Sequence, residues 1–206
     1  MPVRGSPVTM PSGESASVAR YISMTLNPPF IAAFTFAVLV AAEGSPNWDL
    51  VLLIAMLFAA VVPVASIYFL VRMGVIPDVD ASERKTRVFP FIAAVASYMV
   101  GFWLLVAVGA PALISALMLC YLVNTIIVTF ITLGWKISIH ASGIAGPAAA
   151  LGTAFGPVGF LFLLLVIPVG WARVTLKAHS ILQVGAGAIL AVLLTFLELR
   201  AYIPLL

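Results

Sequence analysis

Long apolar stretches joined by short polar segments decide what this 206-residue chain can become. Nearly uninterrupted apolar runs occupy roughly residues 28 to 43, 50 to 72, 88 to 109 and 111 to 134. After a break at Trp135 to Ser142 the chain is apolar again as far as Trp171, and then from Ile181 onward. About 20 apolar residues match the hydrocarbon thickness of a bilayer, where an α-helix satisfies its own backbone polar groups. Only 8% of the residues are charged while 64% are hydrophobic, and the mean hydropathy is +1.22. So few charges cannot cover the surface of a water-soluble domain. The expected fold is all-α, a polytopic transmembrane helical bundle of about six spans.

The joints between the runs add detail. Glu43 to Asp49 and Pro77 to Arg87 separate spans, and Gly109-Ala110-Pro111 is short enough to make the third and fourth spans a tight hairpin. The stretch from Gly143 to Gly170 carries Gly156-Pro157-Val158-Gly159 near its middle. It reads either as one long tilted helix or as a short broken hairpin of two helices. Trp135 before Lys136, and Trp171 two residues before Arg173, mark membrane interfaces. With a hairpin, Arg4, Arg20, Arg72, Arg84, Lys85, Arg87, Lys136, Arg173 and Lys177 share one face, and only Arg200 lies opposite. A single span would carry Arg173 and Lys177 across. The asymmetry favours the hairpin and, by the positive-inside rule, turns the basic face toward the cytoplasm, as in the inner membrane of a prokaryote.

Residues 1–20 lack an apolar core with a cleavage site and read as a flexible tail rather than a removable signal. Residues 21–206 form a single membrane domain. Pro11-Ser12-Gly13-Glu14 is set aside because no helix is expected after it. The net charge of +3 is spread over short loops, which speaks for membrane topology and against nucleic acid. Cys120 is the one cysteine, so neither an intrachain disulfide nor a zinc cluster is expected.

Two polar segments stand out, Trp135 to Gly143 and Ala172 to Gln183, which together hold both histidines, His140 and His179. Ser142 or Gly143 is expected to cap the helix that follows, and Ser180 the last span, bringing two helix N-termini to one interface. Helix N-termini attract anions, and Lys136, Arg173 and Lys177 add full charges. This outlines a phosphate site. His179 and Gln183, four apart, share a helix face, so Gln183 can hold one imidazole nitrogen and direct the other toward a substrate. Arg173 and His179, six apart, need a bend between them to meet one ligand.

These segments resemble the type-2 phosphatidic acid phosphatase family of integral membrane lipid phosphatases. Its third motif runs Ser-Arg, five residues, His, three residues, Asp, then a small-residue helix. Arg173, His179 and Val184-Gly185-Ala186-Gly187 fall at matching places, with Ala172 for the serine and Gln183 for the aspartate. The second motif, Pro-Ser-Gly-His, is met by Ala141-Ser142-Gly143-Ile144, with His140 two residues before the serine. The first motif, a lysine followed by Arg-Pro, is matched loosely by Lys85, Arg87 and Pro90, and Lys136 is an alternative source of that charge.

The resemblance implies a metal-independent, cofactor-free hydrolase acting on a polyprenyl phosphate or diphosphate or a phosphatidate-like lipid. His179 would attack phosphorus, supported by Gln183, and His140 would protonate the leaving alkoxide. Lys136, Ser142, Gly143, Arg173, Lys85 and Arg87 would hold the phosphoryl oxygens. A lipid phosphotransferase on the same site and a non-catalytic lipid-binding or transport protein are the alternatives. The acidic half of the loop Pro77 to Arg87 is similar to prenyltransferase aspartate motifs, but a second such motif is missing, so the loop reads as a charged connection. Asn124, inside the fourth span, is expected to bond a neighbouring helix.

Overall fold

A computed structural model describes residues 13–79 and 86–206, and every described element is helical. Pro28 and Pro29 open α2 (Pro28–Glu43), where proline's missing N–H costs nothing and its fixed φ suits a helix start. Gly44, at φ 65, closes α2 in the left-handed conformation that glycine adopts without strain. The next pass, Trp48–Arg72, is α3 (Trp48–Met56), a π-helical turn at Leu57–Val61, and α4 (Val62–Arg72). Pro63 lacks the amide hydrogen for a regular ladder, and the turn widens just before it. In compensation, the Ser97 hydroxyl of α5 (Val88–Ala107) donates to the Phe58 carbonyl at 2.7 Å.

Gly109, at φ 66, turns the expected tight hairpin into α6 (Ala112–Gly134). The ambiguous region resolves as a hairpin. α7 (Ile139–Phe155) runs to Gly156, at φ 65 and ψ −146, where the chain reverses into α8 (Pro157–Phe160), a 3-10 segment Leu161–Leu165 and α9 (Val166–Thr175). Its arms are longer than the short helices expected from the sequence. The returning arm, Pro157–Thr175, has 19 residues and is long and apolar enough to cross a membrane. α10 (Ile181–Tyr202) ends the bundle.

Among the described residues five helices are long and apolar enough to span, or six if α1 (Glu14–Thr25) and α2, bent by 42° at their junction, form one broken span. Large side chains such as Phe30, Phe69, Phe130, Ile167 and Ile181 face outward, as expected where lipid is the solvent. The chain is an integral membrane helical bundle.

α7 is the buried axis. Ile144 through Gly152 are all buried, and six of these nine residues are glycine or alanine. Small residues are what close helix approach in a membrane requires, because lipid gives no hydrophobic drive and packing must supply the attraction. Gly159 lies directly on the backbone of Leu151, leaving no room for a Cβ. At the α7–α10 crossing, a Cβ on Gly187 would sit 2.7 Å from the Ser138 carbonyl oxygen. Gly185, two residues earlier in the same small-residue run, faces open space instead.

The reading of residues 1–20 as a tail needs correction from Glu14 onward, where α1 starts, while residues 1–12 lie outside the described residues. Its small face, Ala16, Ala19 and Ser23, is buried, and the helix packs on α9. The three-to-four spacing of these residues marks a helix face, but the stretch is too polar to register as a span. A helix therefore does follow Pro11-Ser12-Gly13-Glu14, although Pro11 and Ser12 lie outside the described residues.

Candidate anion site at one membrane face

Alternating passes bring the start of α5, the α6–α7 joint, the α9–α10 joint and α1 to one end of the bundle. The α6–α7 joint is short because Trp135 leaves α6 in an extended conformation and Ser138 caps α7, its Oγ accepting from the Ala141 N–H at 3.4 Å. The cap is thus Ser138, four residues before Ser142, and it places His140 in the first turn. In the α9–α10 joint Lys177 takes φ 53, and the amides of Ala178 and His179 both donate back to the Arg173 carbonyl, at 3.0 and 3.2 Å. This is the bend that Arg173 and His179 needed. Ser180 caps α10 in a reciprocal capping box with Gln183. The two joints are tied together where the Ser138 N–H donates to the Gln183 carbonyl at 3.2 Å.

Both histidines and three basic side chains converge here. Arg87 and Arg173 are each only 4% exposed, and His179 is 7% exposed. The Arg173 Nη1 donates to Ser23 Oγ of α1 at 2.9 Å. Ser23 also engages the His140 imidazole through its backbone, and His140 lies in the fields of Arg173, His179 and Arg87. His179 is pushed down to about 3, first by burial and then by Arg87, Arg173 and Lys136, with its bond to Gln183 acting the other way. Lys136 is lowered by burial, Arg87 and Arg173, and Asp78 opposes that shift. Among the described residues, the charges acting on Lys136 are those of Asp78 and of two guanidinium groups, a balance suited to an anion.

Gln183 orients His179. Its Oε1 accepts the Ser180 N–H at 3.2 Å and faces His179 Nδ1 at 3.2 Å. An oxygen already accepting from an amide takes a second donor, which assigns the hydrogen to Nδ1 and leaves the lone pair on Nε2. The first turns of α7 and α10 present the positive ends of their dipoles to the same region.

Of the residues expected to hold phosphoryl oxygens, Lys136, Arg173 and Arg87 gather with His140, His179 and Gln183. Lys85 lies outside the described residues, as do Arg4 and Arg84. Ser142 and Gly143 are used differently. The Ser142 hydroxyl lies 3.1 Å from the Ser138 carbonyl and 3.0 Å from that of Gly187, and Gly143 packs against Pro28, where a Cβ would come within 2.7 Å. Both serve helix packing. Ile144, where the resemblance requires a histidine, is fully buried among apolar side chains. His140 is one helical turn earlier on the same face, nearer the membrane surface.

Sequence reasoning missed Ser23, which touches two members of the cluster. It also missed Glu198, whose Oε2 accepts from Asn124 Nδ2 at 3.1 Å within the bundle. The signal for Glu198 was present, since an acid inside an apolar span is costly and selected for a reason. The expected bonding of Asn124 to a neighbouring helix is realised on α10, through Glu198 and Thr195. No group of three or more metal-ligating side chains occurs among the described residues. No protein-family model, curated protein or solved structure matches the chain.

Proposed function

We propose that this membrane protein is an atypical lipid phosphate phosphatase, hydrolysing a polyprenyl phosphate or diphosphate or a phosphatidate-like lipid at this site. The observation that carries the reading is the convergence of Arg87, Lys136 and Arg173 on two imidazoles at a membrane face, His179 buried and His140 half-buried. A net positive cluster of this kind suits an anion, and a lipid headgroup reaches it from the bilayer without leaving the membrane surface. His179 attacks phosphorus through Nε2, and the bond to the lipid oxygen breaks as His140 protonates that oxygen. Water then attacks the phosphohistidine, giving its proton to His140 and releasing inorganic phosphate. Arg87, Lys136 and Arg173 offset the charge on the equatorial oxygens in both steps. The dianionic phosphate also reverses the positive field that disfavours protonated imidazole, so His140 can carry its proton once substrate is bound.

The basic face points to the cytoplasm under the positive-inside rule, which puts the site at the inner leaflet of a prokaryotic membrane. One feature favours a second reading, a non-catalytic binder of lipid phosphates. Gln183 gives His179 a neutral amide oxygen where a nucleophilic histidine of this kind is otherwise backed by a carboxylate. Purified protein given lipid phosphates of several chain types without added metal is expected to release phosphate and to form an acid-labile phosphohistidine. The His179→Ala variant is expected to do neither. Full turnover in that variant removes His179 as nucleophile, and tight lipid binding without turnover in the unaltered protein selects the binder.

A further inference from the structure

Below the cation cluster, α2, α5, α6, α7 and α10 line a cavity of about 110 Å³ whose wall includes Tyr121, Asn124, Gly143, Pro147, Leu194 and Thr195. Its polar wall is incompletely satisfied. The Asn124 amide donates to Thr195 Oγ1 and to Glu198 Oε2, both at 3.1 Å, which fixes its orientation. Asn124 Oδ1 and the Tyr121 hydroxyl are then left buried with no hydrogen-bond partner. Pro147, inside α7, has no amide hydrogen, so the Gly143 carbonyl lacks its regular partner four residues on. Orphaned polar groups are costly in a medium without water, and intramembrane acids such as Glu198 mark functional sites.

We infer that this cavity binds the hydroxyl end of a neutral membrane lipid alcohol. Asn124 Oδ1 needs a donor, and the Tyr121 hydroxyl can give or accept, so one alcohol group that donates to Asn124 Oδ1 and accepts from Tyr121 satisfies both side chains. Among the described residues no basic side chain lines the cavity, so nothing there offsets the charge of a phosphate or carboxylate. The remaining lining, including Leu117, Val128, Leu190 and Leu194, suits a hydrocarbon chain. The volume is that of about four liquid waters, enough for a hydroxyl and the first few carbons but not for a whole lipid. This site is independent of the phosphatase reading.

The test uses the full-length protein in detergent, with thermal unfolding followed by circular dichroism in the presence of 1-dodecanol or n-dodecane. Dodecanol is expected to raise the midpoint by about 5 °C at saturation, and dodecane by less than half of that. Tyr121→Phe, which removes only the hydroxyl, and Asn124→Leu should each reduce the dodecanol shift to that of dodecane, while Lys136→Ala leaves it whole. Equal shifts with both probes would overturn the inference in favour of an unselective apolar void. A shift with neither probe would also overturn it, leaving ordered water as the occupant, as would a full dodecanol shift in Tyr121→Phe.

Discussion

Gly185 and Gly187 offer the same chemical change, glycine to alanine, two residues apart on one helix and in opposite surroundings. A Cβ at Gly185 meets nothing within 4 Å, so Gly185→Ala is expected to be neutral or to stabilise α10 by up to about 1 kcal/mol through helix propensity. At Gly187 the added carbon would sit 2.7 Å from the Ser138 carbonyl oxygen and 3.0 Å from Ser142 Oγ. The first of these atoms is backbone in the cap of α7, so it cannot swing aside, and the helices must part by several tenths of an ångström. Overpacking of this kind costs about 1–3 kcal/mol. The propensity gain is common to both variants, so their difference in stability should be about 1–3 kcal/mol. Cys120, buried and the one thiol of the chain, provides the assay, because a fluorogenic thiol reagent reports when the bundle opens. Ser138 caps the helix that carries His140, so under the proposed phosphatase function Gly187→Ala should also lower turnover of lipid phosphate by more than its loss of stability explains. Equal midpoints and equal activities for the two variants would refute the assigned packing.

Three further outcomes are expected. Ser23→Ala removes the acceptor of the buried Arg173 Nη1 and should cost about 1–3 kcal/mol in the same unfolding assay, whereas a change below a few tenths would separate α1 from the site. His179 is neutral in the fold down to about 3 against an ordinary value of 6.5. Its folded value is the lower one, so the unfolded chain takes the proton first. Stability is complete above about pH 6.5 and is lost toward pH 3 by at most about 1.4 kcal/mol per pH unit. The difference in pH dependence between unaltered protein and His179→Asn isolates that slope, and identical profiles would contradict it. Gly101→Ala places a Cβ 2.6 Å from Phe58 Cβ and should push α5 off the π-helical turn, costing about 1–3 kcal/mol in unfolding experiments. A neutral result would mean that the Ser97 bond to Phe58 tolerates the displacement.

The spans were legible because hydrophobic length is a local property. The runs read from the sequence agree with α2, α5, α6 and the Trp48–Arg72 pass to within a few residues. The charge asymmetry also chose correctly between a long tilted helix and a hairpin at Gly156, because moving charges across a bilayer is expensive enough to shape sequence. Residues with strong local signatures were found as well. Ser180 and Gln183 form a capping box, and His179 and Gln183 share a face by spacing alone.

Contacts between segments distant in the chain depended on tertiary structure. Ser142 and Gly143 look like a cap and a phosphate turn in sequence, yet an N-cap is defined by where the helix starts, and Ser138 claimed that position. The α7–α10 crossing then drew Ser142 to the Gly187 carbonyl. Ser23 meets Arg173 across 150 residues of chain, and Asn124 meets Glu198 across 74, pairings that no local periodicity encodes. The sequence by itself determined that the chain lives in a membrane, how many times its apolar runs can cross, and which face carries the cations. Which of those cations and imidazoles meet, and where the unpaired polar wall of α6 lies, followed only from packing, because side-chain neighbours across helices are set by crossing geometry and the small residues that allow it.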